Sequence, residues 1–304
     1  MTLRIRPLAT GAAAAFIVLG LVSGTGLAQP GQGRPGGFGL DPRAESRTYM
    51  FEDTGEELPY CMFVSSKVDP AEPAPLVIAL HGMGAPPDIM CNSTTIDLAE
   101  EGGYILAAPM GYNTTGWYGS PVISMGGRGP APANGQGRGA APGAARQGGP
   151  RDIGGAAPPP ENLAELSEKD VMNVLAMMRE EFNVDEDRIY LTGHSMGGAG
   201  TYYLGAEHAD IWAAIAPVAP AAMRMTETRA EVLRKIADAD VPVMVVHGAD
   251  DEVVNVSISR DQWVPTLEEL GIEHEYVEQP GVTHGPVITT SQEAIFRFFG
   301  EQSK

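Results

Sequence analysis

The chain is poor in cysteine, poor in positive charge and almost without long apolar runs, and each shortage excludes something. Two cysteines in 304 residues, Cys61 and Cys91, rule out a disulfide scaffold. They also lack the Cys and His spacings of a structural zinc site, so no metal and no cofactor is expected. The two thiols are open to a single disulfide or to two buried free thiols, because sequence alone does not bring them within bonding range. Twenty Lys and Arg stand against 39 Asp and Glu, a formal net charge of −19. A surface that acidic repels nucleic acid and anionic membranes. The one uncharged apolar run near the N-terminus, Ala12 to Val22, is too short to span a bilayer. It follows Arg4 and Arg6 and leads to Gly26-Leu27-Ala28, the small residues a signal peptidase reads. Residues 1–28 therefore read as an export signal, which makes the mature protein periplasmic or secreted, with no stable membrane anchor after cleavage. No cysteine follows the cleavage point, which argues against a lipoprotein.

Two stretches depart from globular composition. Residues 29–44 open with a Gly/Pro/Gln-rich segment and read as a flexible linker. Residues 126–160 contain Gly, Pro and Ala with almost no large apolar side chain, and carry Arg128, Arg138, Arg146 and Arg151. That segment has too little apolar area to offset the entropy of ordering it. It reads as a disordered insertion within one domain spanning 45–304, either a tolerated surface loop or a basic flap near the substrate.

Between these stretches, strand and helix patterns alternate as an α/β sheet requires. Thr48 to Ser66 reads as an edge hairpin. Leu76 to Leu80, Tyr104 to Ala108, Ile189 to Thr192, Ile211 to Ala216 and Val241 to Val246 read as strands, and Thr94 to Glu101, Gly197 to His208 and Arg229 to Ala237 as helices. Ser167 with Asp170 three residues on has the form of a capping box at a helix start. The helix predicted there puts Val171, Val174, Leu175, Met178 and Phe182 on one face, with Met172 and Met177 also assigned to packing.

The chemistry-bearing residues lie at the ends of these strands. Arg188-Ile-Tyr-Leu-Thr-Gly-His-Ser195-Met-Gly-Gly is an apolar strand running into Gly-x-Ser-x-Gly and then a helix. This pattern lifts a serine hydroxyl clear of the backbone on a sharp turn. Ala74-Pro-Leu-Val-Ile-Ala-Leu-His81-Gly-Met-Gly84 ends a second strand in a His-Gly-x-Gly loop. Val241-Pro-Val-Met-Val-Val-His-Gly-Ala-Asp-Asp251 ends a third in carboxylates, and Gly281-Val-Thr-His284-Gly follows a strand-like Glu273-His-Glu-Tyr-Val-Glu. The order Ser, Asp, His differs from that of the chymotrypsin and subtilisin types. Among six histidines, His81 and His247 sit in His-Gly pairs that shape loops, His208 closes a helix and His274 lies inside a strand. His194 is beside the serine and suits a supporting or pocket role. His284 alone follows the acid in a loop.

With these motifs, residues 45–300 resemble the α/β-hydrolase serine esterases, in particular the secreted group of polyhydroxyalkanoate depolymerases, feruloyl esterases and predicted peptidases. The resemblance implies an α/β-hydrolase fold: a mostly parallel, doubly wound sheet with an antiparallel N-terminal hairpin. It implies Ser195 as nucleophile and His284 as base. The superfamily's His-Gly-x-x-Asp-x-x-Val loop, counted from His247, selects Asp251 over Asp250 as the acid and places Val254 at the final apolar position. An oxyanion hole is implied at the backbone N–H groups of Met196 and of Met83 or Gly82. The loop Gly111-Tyr-Asn-Thr-Thr-Gly-Trp117-Tyr118-Gly follows a strand on the active-site side. Tyr112, Trp117, Tyr118 and His194 are candidates for lining a substrate pocket, or Trp117 packs over the sheet edge. The expected function is hydrolysis of a small or polymer-derived carboxylic ester through an acyl-enzyme. A peptidase or acyltransferase with the same triad, and a non-catalytic binding protein of the same fold, are the alternatives. No lid-like apolar insertion of a lipase and no propeller of a size-gated oligopeptidase is present.

Overall fold

The computed structural model describes residues 39–121 and 160–304. The predicted export signal, residues 29–38 of the predicted linker and residues 126–159 of the predicted insertion lie outside them. Asp41 to Ala44, at the end of the stretch read as linker, already pack on the domain: Asp41 N–H donates to Cys91 O at 2.8 Å, and Ala44 is buried.

Eight strands form one sheet: β1 (Glu45–Phe51), β2 (Glu56–Val64), β3 (Ala74–Leu80), β4 (Ile105–Pro109), β5 (Val184–His194), β6 (Ala214–Val218), β7 (Val243–Gly248) and β8 (His274–Gln279). Their order is β1-β2-β4-β3-β5-β6-β7-β8. β1 with β2 and β2 with β4 are antiparallel, and every pair from β4 to β8 is parallel. The N-terminal hairpin thus adds an antiparallel edge to a parallel sheet. Continuous apolar runs such as Ala-Pro-Leu-Val-Ile-Ala-Leu in β3 suit a strand covered on both faces, and all seven of its residues are buried.

Alternate side chains divide the core between two faces. Leu76, Ile78 and Leu80 face one cluster with α2 (Leu163–Glu181), α3 (Met196–Glu207), α4 (Arg229–Asp238) and α5 (Val264–Glu269). Val77 and Ala79 face the other with α1 (Ser93–Gly102) and α7 (Gln292–Gly300). α1 is bounded as its sequence dictates: the Asn92 side chain accepts Thr95 N–H at the start, and Gly103 at φ 73° closes the end with its N–H on Ala99 O.

Two readings change. Ser167 and Asp170 are not a cap, because α2 begins four residues earlier at Leu163 and both side chains are buried inside it. The third strand from the C-terminal end runs over Ala214–Val218, later than the Ile211 to Ala216 pattern. Sequence periodicity also passed over α5, α6 (Val287–Thr290) and α7. The first two are six and four residues long, and α5 follows a π turn at Ser259–Trp263 that breaks the 3.6-residue spacing.

Cys61 of β2 and Cys91 form a disulfide, with Cα atoms 6.5 Å apart. It ties the central sheet to the turn Pro87–Cys91, a few residues beyond His81–Gly84. The bridge closes a 30-residue separation. Chain-entropy arithmetic for a loop of that size puts the stability lost on replacing both cysteines with alanine at about 3.5 kcal/mol. Urea unfolding of the double variant should show a matching fall in midpoint.

Candidate active site

Ser195 sits between β5 and α3 at φ 57° and ψ −111°. That conformation is outside the well populated by L-residues and is held because its surroundings leave no other. Ser195 N–H donates to Val218 O at 2.9 Å, and Ser195 O accepts Ala199 N–H at 3.0 Å and Ala221 N–H at 2.9 Å. The flanking glycines permit the crossing of strand and helix. A Cβ on Gly193 would lie 2.4 Å from Gly197 O, and one on Gly197 would lie 2.2 Å from Leu80 O. Ser195 itself is partly exposed.

The loop after β7 carries Asp251, the candidate acid. The Asp251 side chain is fully buried. Its Oδ1 accepts the N–H groups of Val253 and Val254, each at 2.8 Å, and its Oδ2 accepts His284 Nδ1–H at 2.6 Å. His247 Nε2 lies 3.3 Å from the same Oδ2. Burial alone would raise this carboxyl's pKa, but the hydrogen bonds from His247, His284 and the two amides outweigh it and hold it well below the usual carboxylate range. Asp250 is exposed, and its N–H donates to Val282 O. The geometry therefore pairs His284 with Asp251 and not with its neighbour. His247 is buried behind the acid, with Nδ1 2.8 Å from Ser259 Oγ in the π turn and Nε2 3.0 Å from Val254 O.

His194 links the serine turn to the loop of His284. Its Nε2 is 2.8 Å from His284 O, so that nitrogen carries the proton, and the two rings lie 4.5 Å apart. Burial, reinforced by His284, pulls its pKa down to about 3, so the ring stays neutral. His194 is 5% exposed, packed between the serine turn and the His284 loop. The consequence for stability has a definite sign. Between about pH 6.5 and 3 the unfolded chain takes up a proton at His194 and the native protein does not, so stability falls as pH falls through that window. In His194→Phe the slope of unfolding free energy against pH should be shallower there by up to about 1.4 kcal/mol per pH unit, read from urea midpoints at pH 6 and pH 4.

The loop after β3 lies against the serine. A Cβ on Gly82 would stand 3.1 Å from His194 Nδ1 and 3.6 Å from Ser195 Cβ. Gly84 N–H is committed to Thr114 O at 2.8 Å, whereas the N–H groups of Gly82, Met83 and Met196 meet no acceptor among the described residues. Met83 is 41% exposed. Three amide donors without an acceptor among the described residues thus lie on the β3 loop and in the first turn of α3, the two segments next to Ser195. That arrangement can hold a negative oxygen.

The aromatic loop behaves otherwise than as a pocket wall. Trp117 is 3% exposed and Tyr118 is completely buried, and both pack in the core between α2 and α3. Tyr112 is half-buried and donates its hydroxyl to Glu56 Oε2 at 2.7 Å. Sequence shows large aromatics beyond a strand end but not which way they turn. Three of them hold positive φ, Tyr112 at 64°, Trp117 at 60° and Tyr118 at 53°. Such backbones cost on the order of 1–3 kcal/mol each. Two further residues tied to this loop, Ser167 and Asp170, went unrecognised as site residues. Their signal was present: both are polar yet fall on the apolar face of α2 with Val171 and Val174. A cavity of 850 Å³ among Pro75, Tyr104, Arg188 and Phe296 opens at the opposite, N-terminal end of the strands and does not serve this site. Among the described residues no cluster of three or more His, Cys, Asp or Glu side chains is arranged to hold a metal.

Known proteins resemble the chain over part or most of its length. Residues 161–233, from α2 through the serine turn to α4, match the prolyl oligopeptidase family. An 86-residue stretch is 35% identical to the bifunctional acetylxylan esterase/xylanase XynS20E of Neocallimastix patriciarum, covering 28% of this chain and 12% of that one. A thermostable esterase superimposes with a TM-score of 0.59 and 26% identity over 86% of this chain and 64% of its own. A CE1 ferulic acid esterase from Anaeromyces mucronatus superimposes with a TM-score of 0.58 and 17% identity over 85% and 90%. The chain has the α/β-hydrolase fold and is similar to esterases of that fold. It spans only an eighth of the length of the bifunctional relative and about two thirds that of the thermostable esterase.

Proposed function

We propose that this protein is an exported serine carboxylic-ester hydrolase acting through an acyl-enzyme on Ser195. The observation that carries the reading is the 2.6 Å bond from His284 Nδ1 to a buried, ionised Asp251. With Nδ1–H committed to the carboxylate, Nε2 is the ring nitrogen left to act as base. It takes the Ser195 proton as the hydroxyl oxygen attacks the ester carbonyl, and Asp251 stabilises the imidazolium that forms. The tetrahedral oxyanion is held by the N–H groups of Met196 and of Gly82 or Met83. The imidazolium then gives its proton to the leaving alcohol, the acyl group stays on Ser195, and water activated by His284 releases the acid.

The substrate is a small or polymer-borne ester. Acetyl esters are the first to test, because the matching 86 residues belong to an acetylxylan esterase/xylanase. A peptidase reading is favoured by one observation, the match of residues 161–233 to the prolyl oligopeptidase family. The two separate on a panel of p-nitrophenyl acetate, acetylated xylan, methyl ferulate, polyhydroxybutyrate and peptide p-nitroanilides. A fluorophosphonate probe should label Ser195, with ester turnover well above amide turnover. Faster amide cleavage favours the peptidase, and a folded protein that the probe leaves unlabelled is a binding protein.

A further inference from the structure

The segment after β4 does more than turn the chain. It meets the oxyanion loop at three points: His81 Nε2 lies 2.8 Å from Met110 O, Gly84 N–H donates to Thr114 O at 2.8 Å, and Tyr118 hydroxyl donates to His81 O at 3.2 Å. The same segment is gripped from α2. Asp170 Oδ2 accepts Gly111 N–H at 2.6 Å and Tyr112 N–H at 3.0 Å, while Oδ1 accepts the Tyr49 hydroxyl at 2.5 Å. Ser167 Oγ donates to Gly111 O at 2.7 Å and accepts Tyr118 N–H at 2.8 Å. Between the two sets of bonds the backbone holds the strained φ values of Tyr112, Trp117 and Tyr118. There is no slack: a Cβ on Gly111 would fall 2.4 Å from the Tyr118 ring, and one on Gly116 2.1 Å from Gly111 O.

We infer that Asp170, with Ser167 beside it, is a positioning residue for the oxyanion hole. It acts by locking the strained 110–118 loop, which in turn sets the height and tilt of the His81–Gly84 backbone against Ser195. The inference rests on the ester-hydrolase reading above. A loop that only covered the core would settle into unstrained backbone. This one is over-determined on both sides, as strained segments at functional sites are. Donors that stabilise an oxyanion must stand at the position of the tetrahedral oxygen and not of the ground-state carbonyl, so small shifts of the loop fall on kcat. Asp170 suits the task because one carboxylate oxygen takes two successive amides and the other is anchored to β1 through Tyr49.

The test uses p-nitrophenyl acetate kinetics and the affinity of a trifluoromethyl ketone, which forms a tetrahedral adduct on serine. Asp170→Ala should lower kcat by about 30-fold with KM within about threefold, part of the 10²–10³ that a whole oxyanion donor supplies. Ketone affinity should weaken by a similar factor. Asp170→Asn keeps an oxygen for Gly111 and Tyr112 and should recover most of both losses, and Ser167→Ala should fall between. Should Asp170→Ala fail to fold by near-UV circular dichroism, Asp170→Asn and Ser167→Ala carry the comparison. Wild-type kcat and ketone affinity in folded Asp170→Ala or Ser167→Ala overturns the inference, as does a kcat loss with ketone affinity unchanged. If activity depends on Ser195 but not on these residues, only this inference fails. If activity survives loss of Ser195, the underlying reading fails.

Discussion

Replacing Ser195 with alanine is expected to cut kcat by about 10⁴–10⁶ while leaving the fold intact. The upper figure is what removing the nucleophile costs in a serine protease, and the residual rate comes from the oxyanion donors and binding alone. The hydroxyl makes none of the contacts that hold its turn. Those run through the backbone, from Ser195 N–H to Val218 O and from Ala199 and Ala221 N–H to Ser195 O. Ser195→Ala should therefore unfold within a few degrees of the wild type, and fluorophosphonate labelling should disappear. Activity within tenfold of wild type would remove Ser195 from the mechanism. A lost fold would leave the question to Ser195→Cys, whose thiol the probe or a thiol reagent can still report.

Asp251→Asn should be the next largest, with kcat falling about 10⁴-fold, the cost of presenting the wrong imidazole tautomer. An amide at position 251 can keep its oxygen on the Val253 and Val254 N–H groups and turn its NH₂ toward His284 Nδ1. That forces the ring proton onto Nε2, the atom that must accept from serine. The fold should tolerate the change because both backbone bonds survive. Asp250→Asn is the control: the side chain is exposed and only its backbone meets the site through Val282 O, so kcat/KM should stay within about threefold. Equal losses in the two variants would mean that the loop, and not the tautomer, is what matters.

The catalytic candidates were legible because their signals are local. Gly193 and Gly197 are required by a strand and helix that pass within a Cβ of each other, and that requirement appears as two glycines two positions from Ser195. The loops bearing Gly82, Asp251 and His284 each follow a buried apolar strand or strand-like run, and parallel strands deliver such loops to one edge of the sheet. The antiparallel hairpin at β1 and β2 was legible too, because both of its strands lie within twenty residues of one another.

What depended on packing was not legible. Whether Cys61 and Cys91 bond depends on where the turn after the His81–Gly84 loop lands on β2, 30 residues away. Trp117 and Tyr118 turn inward because Ser167 and α3 receive them, although nothing in their own stretch separates a pocket wall from a core residue. Ser167 and Asp170 have the spacing of a helix cap, yet lie inside α2 and bond a loop more than fifty residues earlier in the chain. Sequence by itself marked the candidate residues for the chemistry and the strand that presents each, because backbone sterics and strand patterning act over a few residues. Tertiary structure alone decided the disulfide, the inward aromatics and the bonds from Ser167 and Asp170 to the 111–118 loop, because a buried polar or aromatic side chain takes its partner from whatever the completed fold sets against it.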